Sequence, residues 1–466
     1  MLYFTCVTSE MNAQPVYFQK VFGDSLTQST GKSVVQAADG SIYFTGNFNN
    51  FSTSTQGIEL IKMDSAGNIL WQEKLITGFA YTNRSIITSD KKILMNGQLT
   101  DSTGNTDALA VETDTAGNII FSKTYGSTST TEALQALLQT VDGGFIFSGF
   151  TTNPSGPGNA FWVVKTDSAG NEEWQQTYSY NVNSTCDDIV QTTDGGYLIT
   201  GDKKTITANY NAHVIKIDSL GSIQWETDLT YPYNSGCKNL MINSEGNYIV
   251  IGEAATATSS YFDPFITKLD TAGNILWSHI IPCSNNGDAG YDIIEPTPGN
   301  YLITGFGYNT ATLTADLLVM RLDSAGNEVS RRYYGSTGYD QGYIIISDYN
   351  NSGFLAAGFI SDATGGKYFL IHDDLLGIPS AVNEISSGNT FTFYPSPADD
   401  ILHLRTNGFI QNSLLKIYSL TGNIVLQKQL NSFNTIINTA TLTSGLYVVE
   451  IRDKFHLEKI KLLILH

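Results

Sequence analysis

Seven times in this 466-residue chain, just over fifty residues apart, a stretch able to carry charge or hydrogen bonds leads into a short apolar run. Arg84, Glu132, Asp188, Lys238, Tyr291, Asp292 and Asp340 stand out there, with Lys32, Asp187, Asn239 and Tyr339 beside them. The set is mixed in charge and rich in aspartate and tyrosine. Carboxylates accept hydrogen bonds from sugar hydroxyls or hold a cation, and tyrosine adds a flat apolar face with a polar tip. Two carboxylates facing each other at ~5–9.5 Å would suit cleavage of a glycosidic bond. The plainer reading of the same residues is a solvated rim. Other chemistry is poorly represented. The six histidines, His213, His279, His372, His403, His456 and His466, show no metal-ligand spacing. There is no His-Glu-x-x-His, Gly-x-Ser-x-Gly, P-loop or dinucleotide fingerprint. No catalytic residue or metal site is therefore assigned, and no cofactor is expected, calcium being the one ion an Asp-rich chain could take.

The elements that must position these residues repeat. A turn, an apolar run and a glycine recur, as in Asp142-Gly-Gly-Phe-Ile-Phe-Ser-Gly149 and Asp194-Gly-Gly-Tyr-Leu-Ile-Thr-Gly201. The closing glycines are residues 46, 97, 149, 201, 252, 305 and 358, spaced 51 to 53 apart. A second motif keeps step: Asp64-Ser-Ala-Gly-Asn-Ile-Leu-Trp71 returns from Asp114, Asp167, Asp218 and Asp270, more weakly from Asp323, and as a stub at Asp374. Seven copies at a period near fifty mean a propeller or a solenoid. Each unit holds four strand-like segments, the middle two nearly continuously apolar, as in sheets covered on both faces. The expectation is an all-β fold, a seven-bladed β-propeller of four-stranded blades. The seventh unit lacks its outer strand, so Phe18-Gln-Lys-Val-Phe22 should close the last blade and remove two sheet edges.

The Asp-Ser-Ala-Gly-Asn stretch reads as a hairpin turn. The aspartate caps backbone N–H groups, the glycine takes a left-handed conformation, and the following aromatic packs between blades. Sialidase-type Asp boxes place glycine two residues after the aspartate, where here it is three. The alternating Asp/Asn ligands and distal Glu of a calcium loop are also missing.

Composition narrows the partners. The net charge is −19, yet residues 380–466 carry seven basic and six acidic side chains, so the acidity belongs to the repeats. An acidic body excludes nucleic acid and anionic membrane, which need clustered Lys and Arg. No apolar run reaches the ~18 residues of a membrane span. Residues 1–13 read as the tail of a truncated signal peptide without a basic start. Cys186 and Cys237 occupy equivalent slots in adjacent units, and an inter-blade disulfide is considered for an exported protein.

After residue 379 the period breaks. A polar linker, 380–390, leads to residues 391–466, a small β-sandwich of short alternating strands. Its marks are Tyr394-Pro395-Ser-Pro397-Ala, Ile417-Tyr418-Ser-Leu-Thr-Gly422, Gly445-Leu-Tyr447, and Lys459 and Lys461 in the last strand. These residues resemble the C-terminal sorting domain (type A) of type IX secretion cargo, departing by Ser396 for asparagine. The resemblance implies export across both membranes, contact with the type IX machinery, and removal of this domain during release or surface attachment. Residues 14–379 also resemble a family of secreted bacterial propeller repeats, which supports the fold and brings no activity.

The function expected is an exported, monomeric propeller, outside or on the surface of a Gram-negative cell, that binds a glycan or an extracellular protein. The alternative is a secreted carbohydrate-active hydrolase or lyase with carboxylates in the central pocket.

Overall fold

The repeated turns behave as their residues dictate. In the computed structural model, Asp64 Oδ1 accepts the N–H of Ala66 (3.0 Å) and of Asn68 (2.8 Å), and Asn68 donates back to Asp64 Oδ2 (2.9 Å). The bonds recur at Asp114, Asp167, Asp270 and Asp323. Those N–H donors hold the carboxyls below their usual range. The turn glycines lie at φ near +80°, as at Gly117 (+88°) and Gly221 (+85°). What fills the space beside each is the aromatic of the preceding blade: Trp71 against Gly117, Trp174 against Gly221, Trp225 against Gly273 and Trp277 against Gly326. One motif thus makes both the hairpin and the contact to its neighbour.

The structure describes residues 18–374 except 24–26, 181, 205–208, 257–260, 284–285, 310–312, 350, 352 and 363–364. It also describes 391–464 except 395–400, 407–412, 420–422, 431–433 and 453–456. The chain divides into two compact units, Met1–Leu376 and Gly377–His466. The first is a seven-bladed propeller of four-stranded antiparallel sheets. Blade 4, for example, runs Ser184–Gln191, Tyr197–Lys204, Tyr210–Ile217 and Ile223–Leu229 from the centre outward. Phe18–Phe22 pairs antiparallel with Gly365–Asp374, Phe18 opposite His372, and completes blade 7 as expected. Seven apolar layers fill the seven interfaces between blades; that between blades 7 and 1 holds Val34, Phe44 and Ile61 with Leu355, Tyr368 and Leu370. Each layer buries surface that a lone blade could not cover, the principal favourable term in holding the ring.

The lysine before the Asp turn is also structural in blades 3 to 5. Lys165 and Lys216 are buried, yet each reaches the carboxylate of its own blade's inner hairpin: Asp142 at 3.0 Å and Asp194 at 2.9 Å. In blade 2 the charges are exchanged, with Glu112 in the lysine's slot and Lys92 in the hairpin, 3.3 Å apart.

The second unit packs a three-stranded sheet (Phe391–Tyr394, Ile401–Thr406, Asn434–Asn438) and a four-stranded one (Ile424–Leu430, Ser413–Ser419, Gly445–Arg452, Leu457–Ile464) around one core that includes Leu404, Leu415, Ile417, Val449 and Ile464. Tyr447 is buried and its hydroxyl donates to the Thr443 carbonyl at 2.8 Å, while Gly445 opens its strand. The expected leader at 1–13, the linker at 380–390, Pro395, Pro397 and Gly422 lie outside the described residues, as do the side chains of Tyr394, Lys459 and Lys461.

The disulfide is corrected: Cys186 and Cys237 are both free and buried. Equivalent slots put each thiol in its own layer, Cys186 among Ile146, Phe161 and Ile199, and Cys237 among Val214, Val250 and Phe265. A repeat that places two cysteines identically also keeps them one blade apart.

Candidate functional site

The central channel is shaped by a bulge that every blade shares. In each innermost strand the register to the second strand slips by one residue, between Gly31 and Ser33, Thr82 and Arg84, Leu134 and Ala136, Cys186 and Asp188, Cys237 and Asn239, Gly290 and Asp292, and Gly342 and Ile344. The extra residue has no partner across the ladder, so the bulge re-aims it. Those seven residues, Lys32, Asn83, Gln135, Asp187, Lys238, Tyr291 and Tyr343, are all partly exposed, whereas both ladder-paired flanks are buried in every blade except at Arg84. The bulge also explains the closing glycine. A Cβ on Gly201 would stand 2.0 Å from the Thr185 carbonyl oxygen, and on Gly252 1.9 Å from that of Gly236. Neither has positive φ; the requirement is room.

Just below the bulges, Arg84 spans the channel. Its guanidinium donates to Asp188 at 2.9 Å, two blades away, and to Asp292 at 3.3 Å, four blades along the chain. The carboxylates are almost sealed, 3% and 8% exposed, and Arg84 is 23% exposed. Each aspartate also accepts a backbone N–H from the next blade, Leu240 at 3.0 Å and Ile345 at 2.7 Å, and Ser33 Oγ accepts that of Ser85 at 3.0 Å. Burial raises the Asp292 carboxyl to about 6 despite Arg84, and raises Asp188 as well. This ion triad is a floor. It stitches blades 2, 4 and 6, and each of its four carboxylate oxygens has a hydrogen-bond donor.

Below the floor, toward the Asp turns, lies a cavity of about 520 Å³ walled largely by aliphatic side chains such as Ile86, Leu138, Val190 and Ile346. Above it, the blade-to-blade connections surround a mouth of different character. Its first ring is the bulge residues. Its second is the residue after each closing glycine, Asn47, Gln98, Phe150, Asp202, Glu253, Phe306 and Phe359, all partly exposed. Blades 1 to 3 contribute the amides Asn47, Asn83, Gln98 and Gln135, together with Lys32 and Phe150. Blades 4 and 5 contribute Asp187, Asp202 and Glu253 around Lys238, whose ammonium lies 3.6 Å from Glu253. Burial raises Asp187 and Asp202 against the pull of Lys238, and among the described residues one oxygen of each has no hydrogen-bond partner. Blades 6 and 7 contribute an aromatic wall. Tyr291 stacks on Tyr343 (5.8 Å, 12°), Tyr343 on Phe359 (6.1 Å, 27°), and Phe306 and Tyr339 adjoin them. Tyr339 is 46% exposed.

Of the residues singled out from sequence, the fold brings Arg84, Asp188 and Asp292 together in the floor and sets Lys238 and Tyr291 in the mouth. Glu132 and Asp340 are not channel residues. Glu132 is buried and takes the Thr151 hydroxyl at 2.7 Å. Asp340 accepts the N–H groups of Ser336 (2.6 Å) and Ser361 (2.8 Å), tying a connection to its blade. Both precede the bulge by several residues, where side chains meet loops instead of the axis. The second mouth ring was not foreseen, although its signal, the residue after each closing glycine, is plain in the repeat. Among the described residues no group of three or more His, Cys, Asp or Glu could hold a metal ion. His213 is a buried staple, with Nδ1 2.5 Å from Asp228 and Nε2 3.1 Å from the Tyr180 hydroxyl.

Comparison with known proteins gives the second unit an identity. The family model of the secretion system C-terminal sorting domain matches residues 392–465. No curated protein matches the chain. Among solved structures, the chain is similar to PorZ, a surface component of the type IX secretion system of Porphyromonas gingivalis, at 11% identity and a TM-score of 0.34, over 92% of this chain and 69% of that one. It is also similar to the β-propeller domain of the Trilobed protease from Pyrococcus furiosus, at 9% identity and a TM-score of 0.45, over 77% and 99%. Among the described residues no helix is long and apolar enough to cross a membrane. The Gly445 to Tyr447 strand and its lysine-bearing partner thus belong to a type IX secretion system C-terminal sorting domain, which directs the seven-bladed propeller ahead of it to the cell surface or beyond.

Proposed function

We propose that the propeller is a non-enzymatic binding module that takes a glycan in the channel mouth. The observation that carries this is the aromatic wall of Tyr291, Tyr343, Phe359, Phe306 and Tyr339, set beside the amides of blades 1 to 3 and the carboxylates of blades 4 and 5. Sugar rings lay apolar C–H faces on aromatic rings and share their hydroxyls with amides and carboxylates. The central carboxylates that a glycosidase would use are held by Arg84 and by backbone N–H groups. A hydrolase or lyase reading rests instead on Asp187 and Asp202, whose raised carboxyls would suit an acid catalyst.

The full chain, passed over a panel of immobilised oligosaccharides, should be retained by at least one class and leave it uncut. Tyr291→Ala with Tyr343→Ala should weaken that retention about tenfold, from loss of roughly 1.4 kcal/mol of ring contact. Cut sugar would favour the hydrolase or lyase; no retention on any sugar would leave an extracellular protein as the partner. Whether the mature protein is released or held at a Gram-negative surface follows from the fate of the sorting domain. Deleting residues 390–466 should strand the propeller in the periplasm, as fractionation would show, and normal export of the truncated chain would refute the sorting role.

A further inference from the structure

The mouth is electrically uneven. On the side of blades 4 and 5, Lys238 is matched by Asp187 and its acidic neighbours. Three blades round the ring, Lys32 stands alone. Among the described residues it has no recorded hydrogen bond or ion pair, and its ammonium sits 4.0 Å from the centre of the Tyr343 ring. The buried lysines elsewhere in the propeller are paired: Lys165, Lys216 and Lys268 each reach a carboxylate within 3.0 Å. Taking an ammonium out of water without a counter-ion is costly, and groups left so tend to mark binding sites. Burial lowers Lys32 to about 8, so it is mainly cationic at neutral pH. The Tyr343 ring is the group that faces it.

Lys32 also lies where an incoming ligand would meet it. It is a bulge residue, partly exposed, at the edge of the aromatic wall. An unpaired cation beside stacked rings is complementary to an anionic group carried on a ring with apolar faces. We propose that the mouth selects glycans bearing an anionic substituent, carboxylate or sulfate, which Lys32 pairs while the sugar packs against the wall that includes Tyr343, Tyr291 and Phe359. This rests on the glycan reading above and names the class of sugar.

The test is calorimetric titration of the full chain, at physiological salt, with hexasaccharides that are neutral, uronate-bearing, sulfated or amino-substituted. The anionic sugars should bind at least tenfold more tightly than the neutral one, and whichever of uronate or sulfate is preferred identifies the substituent. Lys32→Met should bring the anionic sugars to the level at which the same variant binds the neutral one, its unchanged urea midpoint showing that it is folded; Lys32→Arg should keep the preference. Neutral binding with no anionic preference, a preference that survives Lys32→Met, or tightest binding of the amino sugar would each overturn the selectivity and leave the glycan reading standing. Binding of none of the four would remove both.

Discussion

Gly201→Ala should cost about 4 kcal/mol or more, although it adds a single methyl group to a strand. The new Cβ would lie 2.0 Å from the Thr185 carbonyl oxygen and 2.9 Å from Cys186 Cα and the Thr185 carbonyl carbon, all backbone atoms of the bulged strand. No rotamer change can relieve that contact. Either the second strand moves off the first, or the bulge irons out and the register slips, which would turn Asp187 and its neighbours away from the channel. Losses of this size belong to a short group of mechanisms, and backbone collision is one. The comparison that isolates it is Gly195→Ala in the same blade. Gly195 has φ +82° and nothing within 4 Å of its would-be Cβ, so alanine there meets only left-handed strain of about 1 kcal/mol. Urea unfolding midpoints should therefore fall far more for Gly201→Ala than for Gly195→Ala. Equal shifts would mean that the bulge is soft and does not dictate the glycine.

That contrast marks how far the sequence could be read. The period, the four strands per blade, the closing of blade 7 by Phe18–Phe22 and the Asp turns were all legible, because each leaves a repeated residue type at a fixed offset. The bulge leaves no such mark. Its seven residues range over lysine, asparagine, glutamine, aspartate and tyrosine, since an unpaired, channel-facing position is free of packing demands. The closing glycine was available as a ruler: the bulge residue lies fourteen positions before it in six blades and fifteen in the seventh. Measured that way, Asp187, Lys238 and Tyr291 fall into one ring, while Glu132 and Asp340 drop out of it. The floor was harder to see. Arg84, Asp188 and Asp292 were singled out as neighbours of the axis, but their union depends on one long side chain crossing to positions 104 and 208 residues away. Nothing in a repeat read blade by blade reports contacts across the ring.

The floor gives the other large expectation. Arg84→Met should destabilise the propeller by about 3 kcal/mol or more at pH 7, because it leaves two nearly sealed carboxylates, Asp188 and Asp292, with backbone N–H donors and no counter-ion. The pH dependence separates this from simple loss of packing. In the parent chain burial already raises Asp292 to about 6, above the ~3.9 of an unfolded aspartate. The folded state therefore binds the extra proton between pH 4 and 6, and stability contributed by this group falls as pH rises through that window. Without Arg84 both carboxyls should rise further. The deficit of the variant should then be largest near neutral pH and shrink as pH falls and the two carboxyls take up protons in the folded state. A triple variant, Arg84→Met with Asp188→Asn and Asp292→Asn, keeps acceptor oxygens for the N–H groups of Leu240 and Ile345 and removes the stranded charges, so it should recover most of the loss and flatten its pH dependence. A deficit that is the same from pH 4 to 8, or a triple variant no better than the single one, would show that Arg84 matters for its bulk alone. Recovery in the triple variant would assign the three residues to architecture, and the search for ligand chemistry would then belong to the mouth above them.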